Sequence, residues 1–301
     1  MMRVDPFFVQ NTLVSLNQVE LSLQQLTQQL SSGVSVTSLS SNPGAAAQDS
    51  TISSEMNADA TFIQSSATTT GQMQVVDSTL GSLVTQMTQA ISVATEGNNG
   101  TLNAANESAI AQQLAGIRNQ VFSLANTTYQ GVAIFAGSKT NVAPFSLNTL
   151  ASPATVTYSG DHVAPTTQTP SGSVIPTSIP GDSIFGGGSG TSANVLGILN
   201  NLINDFSSGS SAIGDTEALN TSLSQVSTIR AQFDGSLNQM QSAVTYTQTQ
   251  LVQLQASEDA LVQANPAQTA TDLSNAEVQR SALLNVMASI SQQPNLFSYL
   301  K

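Results

Sequence analysis

The sequence has no cysteine and a single histidine, and charged residues make up only 8% of its 301 positions, where an ordinary soluble domain has about 25%. Without cysteine there is neither a disulfide framework nor thiolate chemistry, and the chain can live outside the cell without oxidative damage. Positive charge is confined to Arg3, Arg118, Lys139, Arg230, Arg280 and Lys301, scattered singly in a chain of net charge −12. That distribution argues against binding nucleic acid or anionic lipid. His162 stands beside Asp161 with no second histidine or cysteine to complete a metal or catalytic set. Asp161 and Asp182 lack the evenly spaced oxygen ligands of a calcium loop. The run Gly186-Gly187-Gly188-Ser189-Gly190-Thr191 lacks the lysine of a phosphate-binding loop. No carboxylate pairs with a histidine, lysine or cysteine as acid, base or nucleophile would. The expectation is therefore no catalytic residue, no cofactor and no metal. No apolar run approaches the roughly 20 residues of a membrane span. Met1 to Gln10, interrupted by polar residues at its end, does not make a Sec-type signal peptide.

The polarity that is present comes from Ser, Thr, Asn and Gln. Such a surface cannot hold identical copies apart by repulsion, and its amides and hydroxyls can pair with a neighbour's at modest desolvation cost. That suits a self-assembling subunit. Hydrophobic content of 40%, arranged with helical period, argues against disorder over most of the chain.

Val9, Leu16, Leu23 and Leu30 fall seven apart, with Val19 and Leu26 three residues after two of them, which predicts a coiled-coil seam ending at Ser31-Ser32-Gly33. Val34 to Pro43 reads as a connector, and a new helix begins near Gly44. From Ala45 to about Glu96 there is no proline, and Met73, Leu80, Met87 with Val76, Leu83, Ala90 repeat every seven residues. Gly97-Asn98-Asn99-Gly100 stops this helix. Ile110, Ile117, Leu124 with Leu114 and Val121 begin an antiparallel partner. Asn141 to Gly190 holds six of the ten prolines and short alternating pieces such as Thr155-Val156-Thr157-Tyr158, so it predicts a small β-rich module leaning on the helices. Helical period returns over Val195 to Phe206. It then resumes in a long stretch carrying Val226, Phe233, Met240, Leu254 and Leu261 on one series and Leu237, Val244 and Leu251 on another. After Asn265-Pro266, an N-cap and first-turn pair, Leu273, Arg280, Met287 alternate with Ala276, Leu283, Ile290, and Arg280 is the flaw in that seam.

Several stretches resemble the flagellin and hook-associated protein superfamily. They are Gln25 with Gln29-Leu30-Ser31-Ser32-Gly33, then Ser41-Asn42-Pro43-Gly44-Ala45-Ala46-Ala47, and Thr228-Ile229-Arg230-Ala231 with Gly235 and Asn238. Phe135-Ala136-Gly137, Pro144-Phe145, Tyr158-Ser159-Gly160-Asp161 and Phe185 resemble the small insert of the hook-associated protein 3 family. The ending Asn295-Leu296-Phe297-Ser298-Tyr299-Leu300 is similar to that family's tail. Two departures stand out: the family usually has acidic residues where Ser41-Asn42 stand, and Asp where Ser298 stands.

The expected fold is mainly α with a small β insert, an elongated flagellin-like rod of long antiparallel helices whose N- and C-terminal helices pair in a coiled coil. Residues 1–40 and 266–301 are expected to form the terminal domain, 41–138 and 192–265 the long-helix domain, and 139–191 the β-rich domain. The resemblance implies a hook-filament junction subunit, with the terminal helices in an inner tube and the β module facing outward. It implies packing through Val9, Leu16, Val19, Leu23, Leu26, Leu30, Leu273, Leu283, Met287, Ile290, Leu296, Phe297 and Leu300. The implied partners are copies of itself in a ring, another hook-associated protein on the hook side, flagellin on the filament side and a cytoplasmic export chaperone. The implied location is the extracellular flagellum, reached through the flagellar type III apparatus. Filament flagellin is the nearest rival. A secreted adhesin with a helical stalk is a rival of another class.

Overall fold

The computed structural model describes residues 6–35, 42–99, 103–187 and 193–291. Seven helices and six short strands follow one another as α1 (Pro6–Ser32), α2 (Pro43–Gly97), α3 (Ala104–Ala125), β1 (Thr128–Tyr129), β2 (Val132–Ala133), β3 (Phe145–Asn148), β4 (Thr155–Tyr158), β5 (Thr166–Gln168), β6 (Val174–Pro176), α4 (Asp182–Phe185), α5 (Val195–Ser208), α6 (Ile213–Val262) and α7 (Pro266–Ser291). The chain divides into two compact units, one of Met1–Ala58 with Gln250–Lys301 and one of Asp59–Thr249.

Local chemistry sets the helix ends. α2 and α7 open with the same device, an asparagine before proline. Asn42 Oδ1 accepts from the Ala45 amide at 3.1 Å. Asn265 Oδ1 accepts from the Ala267 and Gln268 amides at 3.1 and 3.2 Å. Each proline sits in the first turn, where its missing N–H costs nothing. Asn42 thus has a capping task of its own. α1 stops at Gly33, whose φ of +73° suits a residue without Cβ and whose amide reaches the Gln29 carbonyl at 2.9 Å.

In the terminal unit, α1 packs against α7. The Ala264 amide donates to the Gly33 carbonyl at 2.8 Å, and Arg280 on α7 faces Glu20 on α1. The end of α1 therefore meets the start of α7, and the two run antiparallel. On α1 the inward positions are Thr12, Leu16, Val19, Leu23 and Leu26; on α7 they are Thr269, Leu273, Ala276, Leu283 and Met287. Apart from the gap at Arg280, steps of three and four follow one another along both, as a heptad seam requires. A pair of helices cannot enclose such a seam, so its leucines are only half-buried.

The larger unit has a closed core. On α2, Met73, Val76, Leu80, Leu83, Met87, Ala90 and Ala94 are all fully buried. They meet Leu114 and Val121 of α3, Leu196, Leu199 and Leu202 of α5, and Leu219, Val226, Phe233 and Met240 of α6 in one cluster. The α2 heptad read from sequence is fully buried, and on α6 Val226, Phe233 and Met240 are buried while Leu237, Val244, Leu251, Leu254 and Leu261 are half-buried. Buried hydroxyls sit among these residues without conflict because they bond to the helix's own carbonyls: Thr79 to Val75 at 2.7 Å and Thr216 to Ala212 at 2.7 Å.

The strands form three separate antiparallel pairs, β1 with β2, β3 with β4 and β5 with β6. The first lies ahead of the Asn141 to Gly190 stretch. Its turn residues, Gln130 and Gly131, have φ of +51° and +82°, the conformation of a two-residue hairpin turn. Asn126, at the end of α3, acts as a substitute strand: its Oδ1 accepts from the Phe145 amide at 3.0 Å and its Nδ2 donates to the Phe145 carbonyl at 3.2 Å. This ties β3 to the helices.

Candidate assembly surfaces

The expected packing residues fall into four groups. Leu16, Val19, Leu23 and Leu26 of α1, and Leu273, Leu283 and Met287 of α7, line the seam within this one chain. Leu30, at the end of the same series, is 42% exposed. Val9 and Ile290 lie in α1 and α7, and Leu296, Phe297 and Leu300 lie outside the described residues. Taking Leu16 and Leu23 as core positions, Val14 and Leu21 occupy the position that points away from the seam. Val14 is 61% and Leu21 59% exposed, and Leu13 beside them is also exposed. On α7, Val278 holds the same outward position at 66% exposure, with Leu284 and Val286 flanking it. Both helices are thus apolar on two faces, and among the described residues one of the two has a partner helix. The signal was in the sequence, since Val14 and Leu21 are also spaced by seven.

Arg280 completes the seam as an ion pair with Glu20 at 3.7 Å, both side chains about half exposed. An exposed pair of that length contributes little.

The remaining motif residues of the β-rich part converge. Phe135 meets Phe185 edge-on at 5.1 Å between ring centroids, Phe185 meets Phe145 at 5.5 Å, and Phe145 meets Tyr158 at 5.0 Å. The Tyr158 hydroxyl donates to the carbonyls of Phe135 at 3.0 Å and Asp161 at 2.8 Å. Burial, followed by the nearby Asp182 carboxylate, pushes its pKa up to about 12. The Asp161 carboxylate accepts from the Ser138 amide at 2.8 Å and from the Ser138 hydroxyl, and the Ser138 side chain holds its pKa below the usual carboxylate value. Gly137, with φ of +67°, passes so close that a Cβ there would collide with Asp161. Gly160 lies under the Tyr158 ring in the same way. His162, whose side chain is exposed, hydrogen-bonds through Nδ1 to the buried Asp182, a link the sequence did not reveal. Among the described residues, no cluster of three or more His, Cys, Asp or Glu is arranged to hold a metal.

Arg230, on α6, donates from Nε to Asp77 on α2 at 2.7 Å and lies flat against Gly81. That bond lowers the Asp77 pKa, whereas Asp234, part-buried beside Asp77, is raised. Gly235 faces open space, and Asn238 is exposed. Ser32 accepts from the Val34 amide just after α1. No helix among the described residues is long and apolar enough to cross a membrane.

Residues 8–140 match the family model of the bacterial flagellin N-terminal helical region. That part of the chain is similar to the flagellin N-terminal helical region. Over 122 residues the chain is 34% identical to flagellar hook-associated protein 3 of Salmonella typhimurium, a match covering 40% of this chain and 38% of the relative. The chain thus spans under two fifths of the length of the curated relatives it matches. A putative flagellar hook-associated protein from Vibrio parahaemolyticus superposes with a TM-score of 0.63 at 19% identity, covering 74% of this chain and 100% of that one. Flagellar hook associated protein-3 from Legionella pneumophila superposes with a TM-score of 0.60 at 13% identity, over 70% of this chain and 98% of that one. The fold is that of the hook-associated proteins, helical with a small β insert.

Proposed function

We propose that the chain is a structural subunit of the bacterial flagellum that joins hook to filament and offers flagellin a surface on which to polymerise. The observation that carries this reading is the second apolar face of the terminal helices, Leu13, Val14 and Leu21 on α1 with Val278, Leu284 and Val286 on α7, all between 40% and 66% exposed. Exposed apolar faces on both members of a helix pair are satisfied by further helices, and copies of the same pair around a tube supply them without limit of number. The near absence of charge on these helices removes the repulsion that would oppose it.

In this reading the seam residues hold the pair together and the outward residues join pairs into an inner tube, with residues 41–138 and 192–265 as a surrounding layer and 139–191 outermost. The neighbours are copies of itself in a ring, a second hook-associated protein on one side and flagellin on the other. Head-to-tail packing ends at a junction because the two end surfaces differ. The chain reaches this place through the flagellar type III apparatus, held beforehand by a cytoplasmic chaperone that covers the apolar faces. The work is mechanical and not catalytic.

The test is a cell lacking this chain, viewed by electron microscopy with its culture medium assayed for flagellin. Finished hooks without filaments, and flagellin lost to the medium, are expected. Intact filaments and normal swimming would overturn the proposal and favour the adhesin.

A further inference from the structure

Arg118, on α3, is the one arginine among those described that is buried, at 8% exposure, and among the described residues no carboxylate lies within ion-pair distance of it. Its guanidinium bonds only to amide oxygens. Nε and one terminal nitrogen donate to Asn119 Oδ1 at 3.2 and 3.0 Å, and the other terminal nitrogen donates to Asn200 Oδ1 at 3.3 Å. Three of its five N–H groups are thereby used. Burial alone pushes its pKa down, which is the mark of a charge that has left water without meeting an opposite one.

Asn200, on α5, is 2% exposed, and with its oxygen turned to Arg118 its Nδ2 is buried and has no acceptor. A buried N–H without a partner is costly enough to be rare. Both residues line a pocket of about 240 Å³ between α3, α5 and the loop joining β3 to β4. That loop is pinned over it by the Ser152 hydroxyl, which donates to Asn204 Oδ1 at 3.1 Å and leaves the Asn204 amide hydrogens as further donors. No aspartate or glutamate lines the pocket. A net-negative protein has here assembled a cation, an unanswered amide donor and no acceptor of matching charge.

We propose that this pocket binds a small oxyanion, a carboxylate above all, held by the free N–H groups of Arg118 and by Asn200. A carboxylate offers two acceptor oxygens in the plane a guanidinium presents, and it cancels the buried charge. The volume admits one small group with a water or two, and is below that of ordinary drug-sized pockets. The carboxylate can come from a free small acid or from an aspartate or glutamate side chain of a second copy of this chain. The inference is independent of where the protein sits in a flagellum.

The experiment is a titration of the full chain, labelled with ¹⁵N-arginine, with sodium acetate and with sodium chloride at matched ionic strength. The Arg118 Nε–H resonance is expected to shift saturably with acetate and not with chloride, while those of Arg230 and Arg280 do not saturate. The response should be lost in Arg118→Met and weakened in Asn200→Ala. Small, linear and equal shifts with both salts would overturn the proposal, and this arm uses the unaltered protein whether or not the variants fold. Dilution without acetate separates the sources. A resonance already at its bound position that returns on dilution identifies a second copy, and a resonance that does not move with concentration identifies a free acid.

Discussion

Gly137 and Gly131 offer a matched pair of single substitutions. Both have positive φ, +67° and +82°, but a Cβ at Gly131 meets nothing within 4 Å while one at Gly137 runs into Asp161. Alanine at Gly131 should cost the backbone strain of roughly 1–2 kcal/mol. Alanine at Gly137 should cost clearly more, because Asp161 must release Ser138 to make room. Urea unfolding midpoints of the two variants measure the difference. Asp161 also yields a pH signature. Its carboxylate is favoured in the folded state, so its contribution is fully present above the ordinary aspartate value of about 3.9 and is lost as pH falls through its lowered folded value. The stability gap between the wild type and Asp161→Asn should therefore hold at neutral pH and close in acid. At this scale the sequence was partly legible: Phe135, Gly137, Phe145, Tyr158, Gly160 and Asp161 were recognisable by their resemblance, but their reason for being together, one tyrosine hydroxyl bridging two carbonyls, has no pattern in sequence. The Arg118 and Asn200 contact joins positions 82 apart and leaves no periodic trace at all.

The helices separate into two classes by how completely each seam is covered. Leu80 is fully buried by α2's neighbours, whereas Leu23 is half-buried in a two-helix seam. Leu80→Ala should cost about 2–5 kcal/mol, and Leu23→Ala distinctly less, in thermal unfolding of the isolated chain. Amide exchange should follow the same division, with slow exchange over the buried parts of α2, α3 and α6 and faster exchange in α1 and α7. Uniform protection across all five helices would contradict it. Helices were the most legible feature of the sequence because a period of seven repeats many times over. Caps were legible too, since Asn265-Pro266 announces a helix start by its chemistry. The β1–β2 hairpin was not, because Gln130 takes a left-handed conformation usually left to asparagine, aspartate or glycine, and its strands are two residues each.

The whole molecule can be tested by separating folding from assembly. Leu21→Glu on α1 lies outside the seam, so it should leave the stability of the isolated chain within about 0.5 kcal/mol. In a cell it should abolish filament growth, read as swimming in soft agar and filament counts, because a buried carboxylate between helices of neighbouring copies has no cation to meet. Leu21→Met should swim normally. A Leu21→Glu strain with ordinary filaments would show that this face is not an assembly surface. Only one of the two apolar faces was read from the sequence, because a single seven-residue series already accounts for a coiled coil and nothing about a lone chain calls for a second.

The only ion pair across the α1–α7 seam among the described residues is Arg280 with Glu20, long and half exposed. A joint held by shape and apolar contact, with almost no charge to screen, is indifferent to the ions around it. Its unfolding temperature should barely move between about 0.01 M and about 1 M sodium chloride. A cell that swims from fresh water into brine would keep such a coupling equally tight in both.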